Sequence, residues 1–147
     1  MASGKGNTWI NNYLKLLFNA TAIANIADNA ASAPMTNLHV ALSTGTLSAS
    51  SAQNTTECNY GGYVRRTVAR TTAGWVAASA QTTSNVAAIT YGSHTSGSND
   101  TATDVSVGKD LTGVGQVFYW GALDSSLLIS SGVTPEFAAG ALDVNET

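Results

Sequence analysis

The chain has 147 residues and a mass of 15.0 kDa, enough to bury roughly 70% of its unfolded surface around one core, so a single domain over 1–147 is expected. Charged residues are 10% and apolar residues 44% of the sequence, against a usual charged share of about 25%, which excludes a disordered polyelectrolyte and leaves a surface of Ser, Thr, Asn, Gly and Ala. Six basic and nine acidic side chains, net charge −3, offer no footprint for nucleic acid or an anionic membrane; the single Cys58 excludes an internal disulfide, and with two histidines it falls short of a structural zinc site.

From the N-terminus, the apolar stretch Trp9–Phe18 is interrupted by Asn11, Asn12 and Lys15 and lacks a small-residue cleavage site, so it does not read as a signal peptide. No run reaches the roughly 18 continuous apolar residues of a spanning helix. Ile10, Tyr13, Leu14, Leu17 and Phe18 recur at helical spacing with Trp9 and Leu16 at the margins, which predicts an amphipathic helix over 8–19, capped by Asn7 or Thr8. Ala22, Ile23, Ile26, Ala27 and Ala30 repeat that spacing among Asn and Asp, so 20–33 reads as a second short helix or an arm, ended before Pro34. Four Asn-x-Ser/Thr sequences, at Asn19, Asn54, Asn99 and Asn145, are expected by chance in a chain so rich in these residues.

Beyond Pro34 the period becomes two. Leu38, Val40 and Leu42 alternate with His39, Ala41 and Ser43, a strand buried on one face. Residues 43–61 read as a long loop with no core of its own, unusual unless it binds something or orders on assembly. Strands follow over 63–70, 74–79 and 86–91, with a short edge strand over 103–107. The strongest, over 113–123, carries apolar residues on both faces and is expected in the middle of the structure; further strands are expected over 127–130 and 139–145. Seven or eight short strands after one helix predict a mainly β fold, an antiparallel β-sandwich of jelly-roll or Greek-key type over 34–147, preceded by a helical region over 1–33. The chain shows no internal repeat and no linker separating two cores.

Catalytic chemistry finds few residues to work with. A Ser-His-acid triad would have to recruit His39, on the solvent phase of a strand, or His94, in a Ser/Gly turn where an exposed histidine is expected; there is no Gly-x-Ser-x-Gly elbow. Cys58 adjoins Glu57, whose charge disfavours a thiolate. Asp100, Asp104 and Asp110 lie in a Gly/Thr-rich stretch that reads as solvated and lacks the ligand alternation of a calcium loop. Gly113 and Gly115 open a strand, unlike a phosphate-cradling turn. No enzyme, cofactor or metal is expected. What remains is surface. Arg65, Arg66 and Arg70 are half of all the positive charge; Arg66 and Arg70 share one strand face and Arg65 takes the other, for edge protection or for a subunit interface. The stripe Trp9, Ile10, Tyr13, Leu17 either caps the core or anchors the chain on another protein. These six residues, Trp9, Ile10, Tyr13, Leu17, Arg65 and Arg66, are the candidate interface.

Five blocks of sequence, Trp9–Phe18 (WINNYLKLLF), Ala33–Thr44 (APMTNLHVALST), Glu57–Arg65 (ECNYGGYVR), Val117–Asp124 (VFYWGALD) and Thr134–Leu142 (TPEFAAGAL), stand in the order seen in small virion proteins of tailed bacteriophages. The chain resembles that family of tail-fibre or head-fibre proteins, which is similar to capsid cement proteins, and departs from it between Leu128 and Pro135, where a shorter stretch has lost a hairpin. The resemblance carries over no catalytic residue. It implies a structural protein made in the host cytoplasm and built into the virion, a decoration protein on the outer capsid surface. Its partners would be the major capsid protein and itself, as a homotrimer, with no nucleic acid and no membrane. The alternative is a tail-fibre or tail-tip module that meets the host surface, with Trp75, Tyr60 and Tyr63 available to stack on a glycan. The lack of heptads or repeats for an elongated shaft favours decoration.

Overall fold

The structure is a computed structural model and describes residues 6–23 and 34–146. Among these residues one helix, α1 (Asn7–Asn19), precedes eight strands: β1 (Asn37–Ser43), β2 (Arg66–Ala69), β3 (Thr82–Ser84), β4 (Ile89–Thr90), β5 (Asp100–Gly108), β6 (Val117–Ile129), β7 (Glu136–Phe137) and β8 (Asp143–Asn145). They form a four-stranded sheet in the order β2-β1-β5-β6 and two pairs, β3-β8 and β4-β7. The pairings β1·β5, β5·β6, β3·β8 and β4·β7 are antiparallel. The molecule is thus mainly β, with antiparallel sheets behind an N-terminal helix, in keeping with the expected sandwich class.

Two compact units emerge, one drawn from Met1–Asn37, Ala69–Ala88 and Ala138–Thr147, the other from Leu38–Val68 and Ile89–Phe137. The first is built on α1. Its inner residues Ile10, Leu14 and Phe18 are buried, and Phe18 meets the fully buried Trp75 edge-to-face at 4.7 Å between ring centroids. The helix starts one residue before the expected span, with Gly6 and no side-chain cap at its N-terminus. At its other end Ala20 turns left-handed (φ 53°) and the Thr21 N–H returns to the Lys15 carbonyl at 3.1 Å. Asn85, fully buried, ties the chain end in: its amide donates to the Ala87 and Ala138 carbonyls, and its carbonyl oxygen accepts from the Leu142 N–H, each at 2.8 Å. The second helix or arm expected over 20–33 lies, from residue 24 on, outside the described residues.

In the second unit, paired positions on neighbouring strands point the same way. Val40 faces Val107 and Leu42 faces Val105 on one side of the sheet; Ala41 faces Ser106 and Ser43 faces Asp104 on the other. Both sides are buried, so the one-sided alternation expected for β1 gives way to a two-sided one. The cause is the segment 44–57, which packs on the sheet: the Leu47 N–H donates to the Asp104 carboxylate at 3.1 Å, and Leu47, Gln53 and Cys58 are buried. The predicted coreless loop is therefore a covering layer. Where β2 ends, tyrosine hydroxyls complete the exposed side of β1: Tyr63 accepts from the Leu42 N–H at 3.0 Å and Tyr91 donates to the Val40 carbonyl at 3.3 Å.

Several strand expectations are corrected. β5 is no short edge strand; it runs nine residues between β1 and β6. β6, expected in the middle, is the outer strand of the sheet. Apolar residues on both faces were read as double burial, but Trp120, Leu127 and Leu128 are exposed. β6 also absorbs the separate strand expected over 127–130, through a register shift opposite Ala102 and Asp104 that lets residues 123–126 bulge out. The stretch 74–79 is held by isolated bridges, Trp75 with Asn85 and Ser79 with Thr82, and forms no strand.

Candidate functional site

The candidate interface residues go to different places. On α1, Ile10 belongs to the core with Leu14 and Phe18, and Leu17 is half-buried. Trp9 and Tyr13 point the other way, 42% and 40% exposed. Four residues apart on a helix, they are neighbours on one outward face. Asn7 and Asn11 occupy a flank, where their side-chain oxygens accept from the Gln81 side-chain amide and the Gln81 N–H at 2.9 and 2.8 Å. The C-terminal turn is fixed by Arg70, whose buried guanidinium donates to the carbonyls of Leu16, Leu17 and Met35. The stripe read from the sequence as one surface is thus two: a face that folds the protein and an aromatic pair left uncovered on a rigid helix.

Arg65 is internal. Its Nε and Nη2 donate to the two oxygens of Glu57, each at 2.7 Å, while Nη1 and Nη2 reach the carbonyls of Asp110 (2.8 Å) and Gly113 (2.7 Å). The Tyr63 hydroxyl donates to the same Glu57 at 2.9 Å. The side chain is 2% exposed, so its planar fork serves the fold, joining the 44–57 layer to the turn before β6. Hydrogen bonding to Glu57 raises its pKa further. Arg66 is half-buried on β2. With Arg65 and Arg70 buried and occupied, the three arginines form no basic patch.

The side chains considered for glycan stacking are likewise inside. Trp75 and Tyr60 are buried, and Tyr60 stacks on His94 at 5.5 Å, with its hydroxyl donating to the Gly92 carbonyl at 3.0 Å. Tyr63 lies flat against Tyr91 at 5.9 Å. His94, expected in an open turn, is 5% exposed, because residues 93–96 are stitched to 61 and 133 by backbone hydrogen bonds. Asp100 and Asp104 are not solvated acids: Asp100 accepts from the Asn59 and Tyr60 N–H groups, and Asp104 from Leu47.

Nothing in this arrangement activates a nucleophile. Burial, followed by the charges of Asp100 and Glu57, pushes the Cys58 thiol up to about 12. Burial lowers the pKa of His39, aided by Arg65, and its Nδ1 lies 3.2 Å from the Thr67 hydroxyl. Among the described residues no group of three or more His, Cys, Asp or Glu could hold a metal ion, and no helix is long and apolar enough to cross a membrane.

Two features escaped the sequence reading. One is Gln53, whose buried side chain donates to the His39 carbonyl at 3.2 Å and accepts from the Asp110 N–H at 2.9 Å. Gly108 and Gly115 make room for it: a Cβ at either would come within 2.3 Å of its amide. A lone Gln in a polar stretch gave no signal, although two glycines flanking a turn did mark a close approach. The other is the exposure on the outer strand β6 of Trp120, Leu127 and Leu128, with Leu111 and Val114 ahead of it in the chain 48% and 78% exposed.

Among the described residues the exposed apolar and aromatic side chains thus include Trp9 and Tyr13 on α1 and Trp120, Leu127 and Leu128 on β6. No curated protein matches the chain. A family model described as podophage GP4 fiber I protein gp80 matches residues 6–145. That span takes in α1, all eight strands and these exposed side chains, and on it the chain belongs to this family of phage virion fibre proteins.

Proposed function

We propose that the protein is a non-enzymatic structural component carried on the outer surface of the phage capsid, a decoration protein anchored to the major capsid protein through Trp9 and Tyr13. The observation that carries this reading is the exposure of both rings on a helix whose opposite face is locked into the core. Large aromatics presented by a rigid element contribute more to binding than other residue types, because they bury much area while losing little side-chain freedom. The sparse charge of the chain supports the same reading, since uncharged surfaces associate without the cost of desolvating ions. A second reading, a tail module that meets the host, draws on the family's description as a fibre protein.

Changing Trp9 and Tyr13 together to Ala is expected to weaken binding to assembled capsids by about 2 kcal/mol or more, with the thermal transition still cooperative. Unchanged binding would remove the helix as anchor. A reconstruction of the whole particle separates the two readings: copies repeated over the icosahedral shell support decoration, and copies confined to the tail overturn it.

A further inference from the structure

The N-terminal turn of α1 carries Trp9 but none of the local devices that usually hold such a turn. Gly6 supplies no side-chain cap, and no acidic residue stands in the first turn to meet the helix dipole. A helix end left in this way frays. What holds it instead comes from a distant part of the chain. The Gln81 N–H donates to the Asn11 side-chain oxygen at 2.8 Å, and the Gln81 side-chain amide donates to that of Asn7 at 2.9 Å. Asn7 and Asn11, four residues apart, line one flank of the helix, and Trp9, midway between them in sequence, stands on the opposite side. The Gln81 carbonyl accepts from the Glu146 N–H at 3.0 Å, so the grip is backed by the end of the described chain. All of these residues belong to one compact unit.

The hold is made by an unfavourable turn. Ser79 and Thr82 exchange backbone hydrogen bonds at 3.1 and 3.0 Å across the two-residue turn Ala80–Gln81, whose φ angles are 49° and 67°. Left-handed backbone at both central positions of such a turn favours Asn and Gly, because a Cβ there crowds the neighbouring carbonyl. Strain of this kind persists where the surrounding structure imposes it, often at functional sites. Gly would adopt the Gln81 conformation freely but has no amide to reach Asn7, and Asn is one methylene shorter. We propose that the Ala80–Gln81 turn is a positioning device for the anchor: Gln81 tethers the first turn of α1, so that Trp9 is set in one direction before the capsid is met. A side chain preset in its bound geometry loses less freedom on binding. This deepens the anchoring role of Trp9 and Tyr13 and rests on it.

Gln81→Gly removes the side chain, keeps the N–H and relieves the strain, so stability and binding should move in opposite directions. The thermal midpoint should stay level or rise by about 2 °C. Exchange of the Ile10 and Asn11 amides should quicken about tenfold in the isolated protein, and affinity for assembled capsids should fall about tenfold. Asn7→Ala, which removes the acceptor from the other side, should reproduce the faster exchange and the weaker binding. A purely structural role for Gln81 predicts instead a lower midpoint with unchanged binding, and that result would overturn the proposal; so would exchange at the parent rate. Capsid binding unchanged by Gln81→Gly, while Trp9→Ala with Tyr13→Ala still weakens it, overturns the positioning role and leaves the anchor standing. Binding unchanged by either set removes the anchor, and its positioning with it.

Discussion

Arg65 accounts for four hydrogen bonds with one side chain, two to Glu57 and two to carbonyls of the turn before β6. Without it, Glu57 remains as a charge 17% exposed and two carbonyls lose their donors. Removing one partner of such a pair costs about 3–5 kcal/mol, so Arg65→Ala should lower the thermal midpoint by roughly 10 °C. Arg65→Lys keeps the charge but not the fork, and its midpoint should fall between those of Ala and the parent. A midpoint for Arg65→Lys equal to that of the parent in a calorimetric scan would show that charge alone, without geometry, does the work. The sequence showed three arginines close together but not their fates. Spacing along a strand assigns a face; whether that face meets solvent depends on segments such as 44–57 that arrive from elsewhere.

At the level of elements, the helix was legible because its signal is local: Ile10, Leu14 and Phe18 mark the buried side within one short stretch. β1 was legible for the same reason. β5 and β6 exchanged their expected places because alternation reports which residues are apolar and says nothing about which strand lies outside. A strand with apolar residues on both faces fits the interior of a sheet or its outer position equally well. β3, β4 and β7, two or three residues each, lie below the length at which periodicity carries information. The 44–57 layer rests on Gln53, and its seat on the sheet can be tested at Gly108. A Cβ there meets the Gln53 amide at 2.3 Å and the Gln116 carbonyl oxygen at 2.5 Å. Gly108→Ala should therefore expel Gln53 from its place between His39 and Asp110, costing about 1–3 kcal/mol and speeding proteolysis within 44–57. Cleavage at the parent rate would mean that the layer is held by its other contacts.

For the whole molecule, the buried thiol and phenols set an alkaline limit. Cys58 is raised from 9.0 to about 12 and Tyr60 from 10.0 to about 12, with burial the leading cause, and burial raises Tyr63 and Tyr91 as well. Above about pH 9 the unfolded chain releases protons that the folded one keeps, so stability is complete below that value and declines as pH rises towards 12. Thermal midpoints should fall steadily above about pH 9, and a flat profile to pH 11 would contradict the burial of these groups. The fibre family was readable from five blocks in order, whereas the surfaces that meet partners were not, since exposure is decided by the complete fold. That completeness also has a bearing on synthesis. Because the first unit joins α1 to β3 and β8, and Asn85 binds the backbone at Ala138 and Leu142, the parts of one core leave the ribosome separated by residues that belong to the other unit. Ile10, Leu14 and Phe18 stay without their final neighbours until β8 follows, so throughout that interval the nascent chain presents a sticky helix that a chaperone can hold.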